Sequence, residues 1–71
     1  MDNIQIDTDY IKLDQLLKWV GIVGSGTEAK YIIQDGLVTV NKEVVTQRGK
    51  KIFKGDYISI SLDEYIEFIV E

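Results

Sequence analysis

Apolar residues in the first third of the chain recur with the spacing of one helical face. The positions at i, i+3, i+4 and i+7 are Leu13, Leu16, Leu17 and Val20. This spacing predicts a short amphipathic helix over about residues 11–20, ended by Gly21. At roughly 100° per residue, Lys12 and Trp19 would lie about 20° apart on this helix, beside its apolar face.

A capping signal predicts a second short helix. Ser25 is followed three residues later by Glu28, so the Ser25 hydroxyl can accept from the Glu28 amide while the carboxylate reaches back to the Ser25 amide. The apolar face behind this cap consists of Ala29, Ile32 and Ile33. Gly36 then suits the left-handed residue that ends a helix. Helices this short do not persist alone in water, so both must pack on each other and on a sheet.

After Gly36 the pattern changes from helical spacing to β-branched runs and alternation. Asn41-Lys42 separates two such runs, which predicts a hairpin with a two-residue loop and Lys42 at its tip. Residues 46–51 are polar and basic and indicate a loop. A Gly55-Asp56 turn precedes two alternating segments, at residues 57–62 and 65–70, which predict strands.

These elements predict an α+β fold with two short N-terminal helices packed on a small, mostly antiparallel sheet. We expect one domain over residues 1–71, with a core motif at 11–60 and flanking edge strands at 3–7 and 65–70. The segment 3–7 would pair with the last strand. Asp14 and Asp56 are assigned to a helix start and a turn.

Charge is distributed unevenly along this fold. All eight Lys and Arg residues lie between Lys12 and Lys54, together with four acidic residues. The other eight acidic residues lie in residues 1–11 and 55–71. The net charge of −4 therefore hides a basic body with a local charge of +4. Because a polyanion responds to the local field, this body could engage phosphates.

The composition argues against catalysis. Cys and His are absent, which excludes disulfides, thiol nucleophiles, imidazole chemistry and most zinc or iron sites. The GIVGSG segment lacks the Lys-Ser/Thr of a nucleotide-binding loop. We therefore expect a non-enzymatic protein without cofactor or metal. No apolar run approaches the roughly 20 residues of a membrane span and the N-terminus is acidic, so we also expect a soluble, cytoplasmic protein. We expect its oligomeric state to be monomeric.

Several pieces of the chain match one family of small domains in order and spacing. They are Lys12-Leu13-Asp14 with Leu17, then Gly21, Ser25, Ala29 with Ile32-Ile33, GLVTVN at 36–41, and Gly55-Asp56-Tyr57-Ile58. Together they resemble the S4-type RNA-binding domain, also called the alpha-L RNA-binding motif. The YIKLDQLLK opening and SGTEAK look most like its small stand-alone YaaA/YbcJ-like members. In this family, the two helices and the hairpin bind structured RNA, often ribosomal or transfer RNA.

The resemblance implies a set of RNA-binding residues. The basic candidates are Lys12, Lys18, Lys30, Lys42, Arg48, Lys50 and Lys51. Trp19 and Tyr31 are candidates for base stacking, and the helix that starts at Ser25 could receive a phosphate. The expected partner is a structured RNA, on a ribosome or a ribosomal assembly intermediate.

Each candidate also has a simpler interpretation. The lysines of the helices and the hairpin could have no role beyond solvating exposed faces. The 46–51 loop could serve solubility and discourage the pairing of an exposed sheet edge with another chain. Trp19 could fill the margin of the core, and Ser25 could be a cap alone. Gly26 stands where many family members have Arg, which removes a bidentate phosphate contact. The alternative function is a protein-protein interaction module with little RNA affinity; duplex DNA binding is a weaker option.

Overall fold

The computed structural model of the protein describes residues 2–71, and these form two helices and seven strands. The helices are α1 (Leu13–Trp19) and α2 (Gly26–Gln34). The strands are β1 (Asp2–Ile4), β2 (Tyr10–Lys12), β3 (Val38–Val40), β4 (Glu43–Val44), β5 (Lys51–Phe53), β6 (Tyr57–Ser61) and β7 (Tyr65–Val70).

Five of the strands form one sheet in the order β1-β7-β6-β3-β4. The β1–β7 pair is parallel, and the other neighbours are antiparallel. Strands β2 and β5 form a separate antiparallel ribbon. The predicted α+β class, with helices on a mostly antiparallel sheet, is therefore confirmed.

The core lies between the helices and one face of the sheet. Alternation in the strands directs one set of apolar side chains inward. These are Val38, Val40, Ile58, Ile60, Phe68 and Val70. The helices cover them with Leu13, Leu16, Leu17, Ala29 and Ile33, each fully buried. The residues that carried the helical and strand patterns thus form one hydrophobic core.

Helix α1 begins later than its spacing predicted, and this moves Lys12 off the helix. Lys12 is extended, with φ −70° and ψ 145°, and it pairs in β2 with Lys51 of β5. The helical placement of Lys12 beside Trp19 was therefore wrong. Lys51 likewise belongs to a strand rather than to the 46–51 loop. The long-range pairing of β2 with β5 overrides the local helical pattern.

The hairpin between β3 and β4 has the predicted two-residue loop, because Val40 pairs directly with Glu43. Asn41 and Lys42 both have positive φ, 52° and 72°, as a type I′ turn requires. Lys42 adopts this conformation without being a glycine. The turn therefore depends on contacts that hold it, which are described below.

The cap of α2 forms with one difference from the capping box. The Ser25 hydroxyl accepts from the Glu28 amide at 3.2 Å, as predicted. The Glu28 carboxylate accepts from the Gly24 amide at 3.4 Å, not from the amide of Ser25. Gly36 follows the helix with φ 77°, which confirms its role at the C-terminal end.

The N-terminal strand covers Asp2–Ile4, whereas the sequence suggested residues 3–7. It runs parallel to β7, and Ile6 then donates to the Glu71 carbonyl at 2.9 Å. Within residues 2–71, neither helix has the length and apolar character that a membrane crossing needs.

Candidate nucleic-acid interface

The loop that follows β4 closes over the start of α1. The Leu13 amide donates to the Lys50 carbonyl at 2.9 Å, and the Asp14 amide donates to the Arg48 carbonyl at 3.1 Å. The Asp14 carboxylate accepts from the next amide at 2.8 Å, which confirms its role at the helix start. These amides of α1 are thus occupied within the protein. Any attraction for an anion here must come from the side chains.

Four cationic residues lie close together at this point. We refer to Lys12, Arg48, Lys50 and Lys51 as the α1 basic cluster. All four are exposed. Lys12 and Lys51 are directly opposite each other on the β2–β5 ribbon, and like charges in this arrangement repel. Residues far apart in sequence are thereby concentrated into one positively charged surface.

The β2–β5 ribbon has two different faces. Ile11 and Ile52 are paired on the inner face, where Ile52 is fully buried. Tyr10 and Phe53 are paired on the outer face, their ring centroids 5.8 Å apart. The Lys51 Nζ lies 4.9 Å from the Tyr10 ring centroid. This outer face could not be predicted from the sequence, because its two strands are only three residues long and pair residues that are far apart in the chain.

A groove connects the cluster to the β3–β4 hairpin. Its volume is about 360 Å³, and it is lined by Val40, Asn41, Glu43, Val45, Lys50, Lys51, Phe53 and Asp56. Two cations and two carboxylates therefore share this groove. Lys42 lies on the other side of the turn, beside Tyr57 and Ile69. The structure thus brings the hairpin tip close to the α1 basic cluster.

A hydrogen-bond network fixes the hairpin turn against the Gly55-Asp56 turn. The Asn41 side-chain amide donates to one Asp56 carboxylate oxygen at 3.1 Å, and the Phe53 amide donates to the other at 2.8 Å. The Asn41 side-chain carbonyl accepts from the Tyr57 amide at 2.9 Å. Both carboxylate oxygens of Asp56 are therefore used inside the protein, which confirms its role in a turn. This network positions Lys42.

The remaining lysine candidates lie on the helices. Lys18 is exposed in the last turn of α1, roughly 8 Å along the helix axis from Leu13 at about 1.5 Å per residue. Lys30 is exposed on α2, as is Tyr31 with 61% of its surface accessible. These three residues are outside the α1 basic cluster. Their role in binding stays a prediction.

Trp19 is held by the N-terminal segment. Its indole nitrogen donates to the Gln5 carbonyl at 3.2 Å, and its ring borders a cavity of about 180 Å³ with Ile6 and Ile11. The side chain is still 60% exposed. This geometry favours a residue at the margin of the core. Stacking by Trp19 stays a prediction that would use its free surface.

The start of α2 carries a negative charge as well as its cap. The Ser25 hydroxyl accepts from the Glu28 amide, and the Glu28 carboxylate lies at the same helix end. A phosphate there would face that carboxylate, which opposes binding. The phosphate site suggested at Ser25 stays a prediction, and the charge arrangement disfavours it.

Acidic residues occupy the opposite end of strand β6. Asp63 and Glu64 are exposed in the turn before β7 and line a shallow groove with Leu62 and Ile66. From the other end of β6, the Tyr57 hydroxyl donates to the Glu67 carboxylate, which lies opposite the middle of the strand. This hydrogen bond, together with the neighbouring Tyr65 side chain, raises the pKa of Tyr57 well above its ordinary value of 10.0. Among residues 2–71, no group of three or more His, Cys, Asp or Glu could hold a metal ion.

The two helices, the mixed sheet and the hairpin define a small α+β domain of the alpha-L type. The chain belongs to the S4 domain family, whose model matches residues 4–68. Over 57 residues, it is 40% identical to the probable ribosome maturation protein RlbA from Bacillus subtilis (strain 168), covering 80% of each chain.

A solved structure shows the same fold. The solution structure of YbcJ from Escherichia coli superposes with a TM-score of 0.68 and 28% sequence identity, covering 97% of this chain and 87% of YbcJ. That structure reveals an alpha-L motif involved in RNA binding. The family resemblance of the sequence is therefore confirmed.

Proposed function

We propose that this protein is a non-catalytic RNA-binding protein that recognises a structured RNA. Membership of the S4 domain family and similarity to the alpha-L motif of YbcJ support RNA as the partner. The relative named for ribosome maturation favours ribosomal RNA, on a ribosome or an assembly intermediate, over transfer RNA. The protein would act as a cytoplasmic monomer, with residues 1–71 as one RNA-binding domain.

The observation that carries the proposal is the α1 basic cluster. Its residues come from β2, from β5 and from the loop before β5. The Arg48 and Lys50 carbonyls in this loop accept hydrogen bonds from amides at the start of α1, which hold the loop on the helix. Such a fixed array of cations suits the phosphates of a folded RNA, which is recognised largely by shape and backbone.

The other candidate residues would extend this surface. Lys42 would contact RNA from the neighbouring hairpin tip. Lys18 and Lys30 would contribute from the helices, and the two lie outside the cluster. A Cβ added at Gly26 would meet open space. Packing therefore does not explain why this chain has glycine where many family members have arginine. The cluster must therefore supply most of the affinity.

We test the surface by removing two of its charges. The Lys50→Ala/Lys51→Ala variant should bind ribosomal RNA roughly tenfold or more weakly at about 0.1 M salt and should lower the salt slope by about 2, since each phosphate contact contributes nearly one. Lys18→Ala/Lys30→Ala removes the same charge from the helices and should have a smaller effect. Binding isotherms at several salt concentrations, on ribosomal and transfer RNA, measure both quantities.

The target is identified by crosslinking the protein to RNA in cells and sequencing the recovered RNA. Enrichment of one ribosomal RNA region, lost in Lys50→Ala/Lys51→Ala, is the expected result. An unchanged salt slope in this variant would show that the cluster does not contact RNA. Recovery of discrete proteins and no RNA would instead favour a protein-interaction module.

A further inference from the structure

The outer face of the β2–β5 ribbon presents two aromatic rings to solvent. Tyr10 is 39% exposed and Phe53 is 49% exposed. They are cross-strand partners, with rings tilted by 48°. A purely structural pair would contribute about 0.2–1 kcal/mol to the ribbon. A pair with this role alone could stabilise the ribbon with less of each ring exposed to solvent.

The same face carries two cations next to the rings. Side chains two residues apart on a strand share a face, so Lys12 and Lys51 lie on the same side as Tyr10 and Phe53. The two lysines are directly opposite each other, an arrangement that costs folding free energy when no anion is present. A ligand with negative charge would relieve this repulsion.

Aromatic rings beside cations fit one class of ligand, an unpaired nucleotide. Bases stack on exposed aromatic faces, and their phosphates are neutralised by neighbouring lysines. Because the Lys51 ammonium lies over the Tyr10 ring, Phe53 offers the larger free face. Tyr10 lies beside Phe53 in a tilted arrangement, with 5.8 Å between the ring centroids. Phe53 also lines the groove that leads to Lys50.

We propose that Tyr10 and Phe53 form a stacking platform for an unpaired base of the bound RNA, with Lys12 and Lys51 contacting the adjoining phosphates. This inference rests on the proposed function and sharpens it, because it gives the protein a preference for RNA with unpaired bases. Charge alone would not favour a loop over a duplex, whose phosphates are more densely spaced.

The test compares two RNAs with the same number of phosphates. One is a hairpin whose unpaired loop contains 2-aminopurine, and the other is a blunt duplex. The wild-type protein should bind the hairpin more tightly and quench the 2-aminopurine fluorescence. Tyr10→Leu/Phe53→Leu should bind the hairpin roughly tenfold more weakly and lose the quenching, since stacking contributes about 1–3 kcal/mol per base. Its affinity for the duplex and its salt slope should stay unchanged.

Two further variants separate stacking from folding. Phe53→Tyr keeps an aromatic face and should retain both affinity and quenching. Tyr65→Leu removes a more accessible aromatic side chain, 61% exposed, from the five-stranded sheet opposite Ser61 and should behave as the wild type. Thermal unfolding of each variant verifies that it is folded at the temperature of the binding assay.

The outcomes distinguish this inference from the proposed function. If Tyr10→Leu/Phe53→Leu binds and quenches as the wild type does, the platform is overturned while RNA binding stands. If Phe53→Tyr is folded but loses the quenching, the platform is also overturned. If the wild type binds neither RNA, the proposed function fails and the platform fails with it.

Discussion

The two ends of strand β6 differ in both charge and construction. At the Tyr57 end, the Asn41-Lys42 and Gly55-Asp56 turns meet and are joined through both carboxylate oxygens of Asp56. At the Ser61 end, Asp63 and Glu64 lie exposed in the turn before β7. One end is therefore a hydrogen-bonded scaffold beside the α1 basic cluster, and the other is an acidic surface turn.

Under the proposed function, this difference allows a protein with a net charge of −4 to present a site for a polyanion. A five-residue strand is roughly 16 Å long, about twice the Debye length of roughly 8 Å at physiological salt. The carboxylates at the Ser61 end are therefore largely screened from the cluster. The carboxylate of Asp56 is close to the cluster, but its oxygens accept hydrogen bonds within the protein.

The largest effect on stability is expected from removing a carboxylate at the scaffolded end. Asp56→Ala leaves the Phe53 amide and the Asn41 side chain without their acceptor, which should cost about 1–3 kcal/mol. For a domain of this size, each kcal/mol lowers Tm by about 4–8 °C. Thermal unfolding followed by circular dichroism measures the loss.

Asp63→Ala is the matched control for Asp56→Ala. It removes the same carboxylate from the exposed turn and should change stability by no more than about 0.5 kcal/mol. Equal losses of stability in the two variants would contradict the distinction between the hydrogen-bonded Tyr57 end of β6 and its exposed Ser61 end. A stable Asp56→Ala protein would show that the Asn41-Lys42 turn does not depend on the Asp56 carboxylate, with the bond from the Tyr57 amide to Asn41 still in place.

Much of the scaffold could be predicted from the sequence because its signals are local. The cap at Ser25, the two-residue turn at Asn41-Lys42 and the alternation after Gly55 each depend on neighbouring residues. The β2–β5 ribbon could not, since Lys12 and Lys51 pair only after the chain has folded. A three-residue strand has too few positions to establish its own period.

The candidate site was likewise only partly predictable from the sequence. Basic residues could be named from composition and family resemblance, but their grouping depends on the Lys50 and Arg48 carbonyls, which bind α1. The aromatic pair of Tyr10 and Phe53 had no signal, because neither strand that carries it was recognised. Arg48, Lys50 and Lys51 could be grouped as the densest charge cluster of the sequence, but neither the charges nor the alternation could show that Lys12 shares their surface.

The hydrogen bond from Tyr57 to Glu67 runs from the Tyr57 end to the middle of the β6–β7 pair and predicts a dependence on pH. The bond raises the pKa of Tyr57 in the folded state above its ordinary value of 10.0. The folded protein therefore holds this proton more tightly than the unfolded chain. The associated stability is fully present below pH 10.0 and is lost as the pH rises toward the folded-state pKa.

Tyr57→Phe removes this proton and tests the sign of the effect. The wild type should be more stable than the variant at neutral pH, and the difference should shrink above pH 10.0. Urea unfolding of both proteins across this pH range measures the difference. A difference that grows with pH would show that the Tyr57 hydroxyl is not the stabilising donor.

The smallest effect is expected from neutralising the acidic end. Asp63→Asn/Glu64→Gln makes the net charge less negative by two, yet it should raise the affinity for ribosomal RNA less than about twofold at physiological salt, because these side chains lie beyond the Debye length from the cluster. Lowering the salt lengthens the screening distance and should enlarge the gain. RNA-binding isotherms are measured at low and at physiological salt for this variant, for the wild type and for Lys50→Ala/Lys51→Ala. The comparison separates long-range electrostatic effects on RNA from direct contacts between RNA and the protein. A large gain at physiological salt would mean that RNA extends to the Ser61 end, so that both ends of β6 belong to one binding surface.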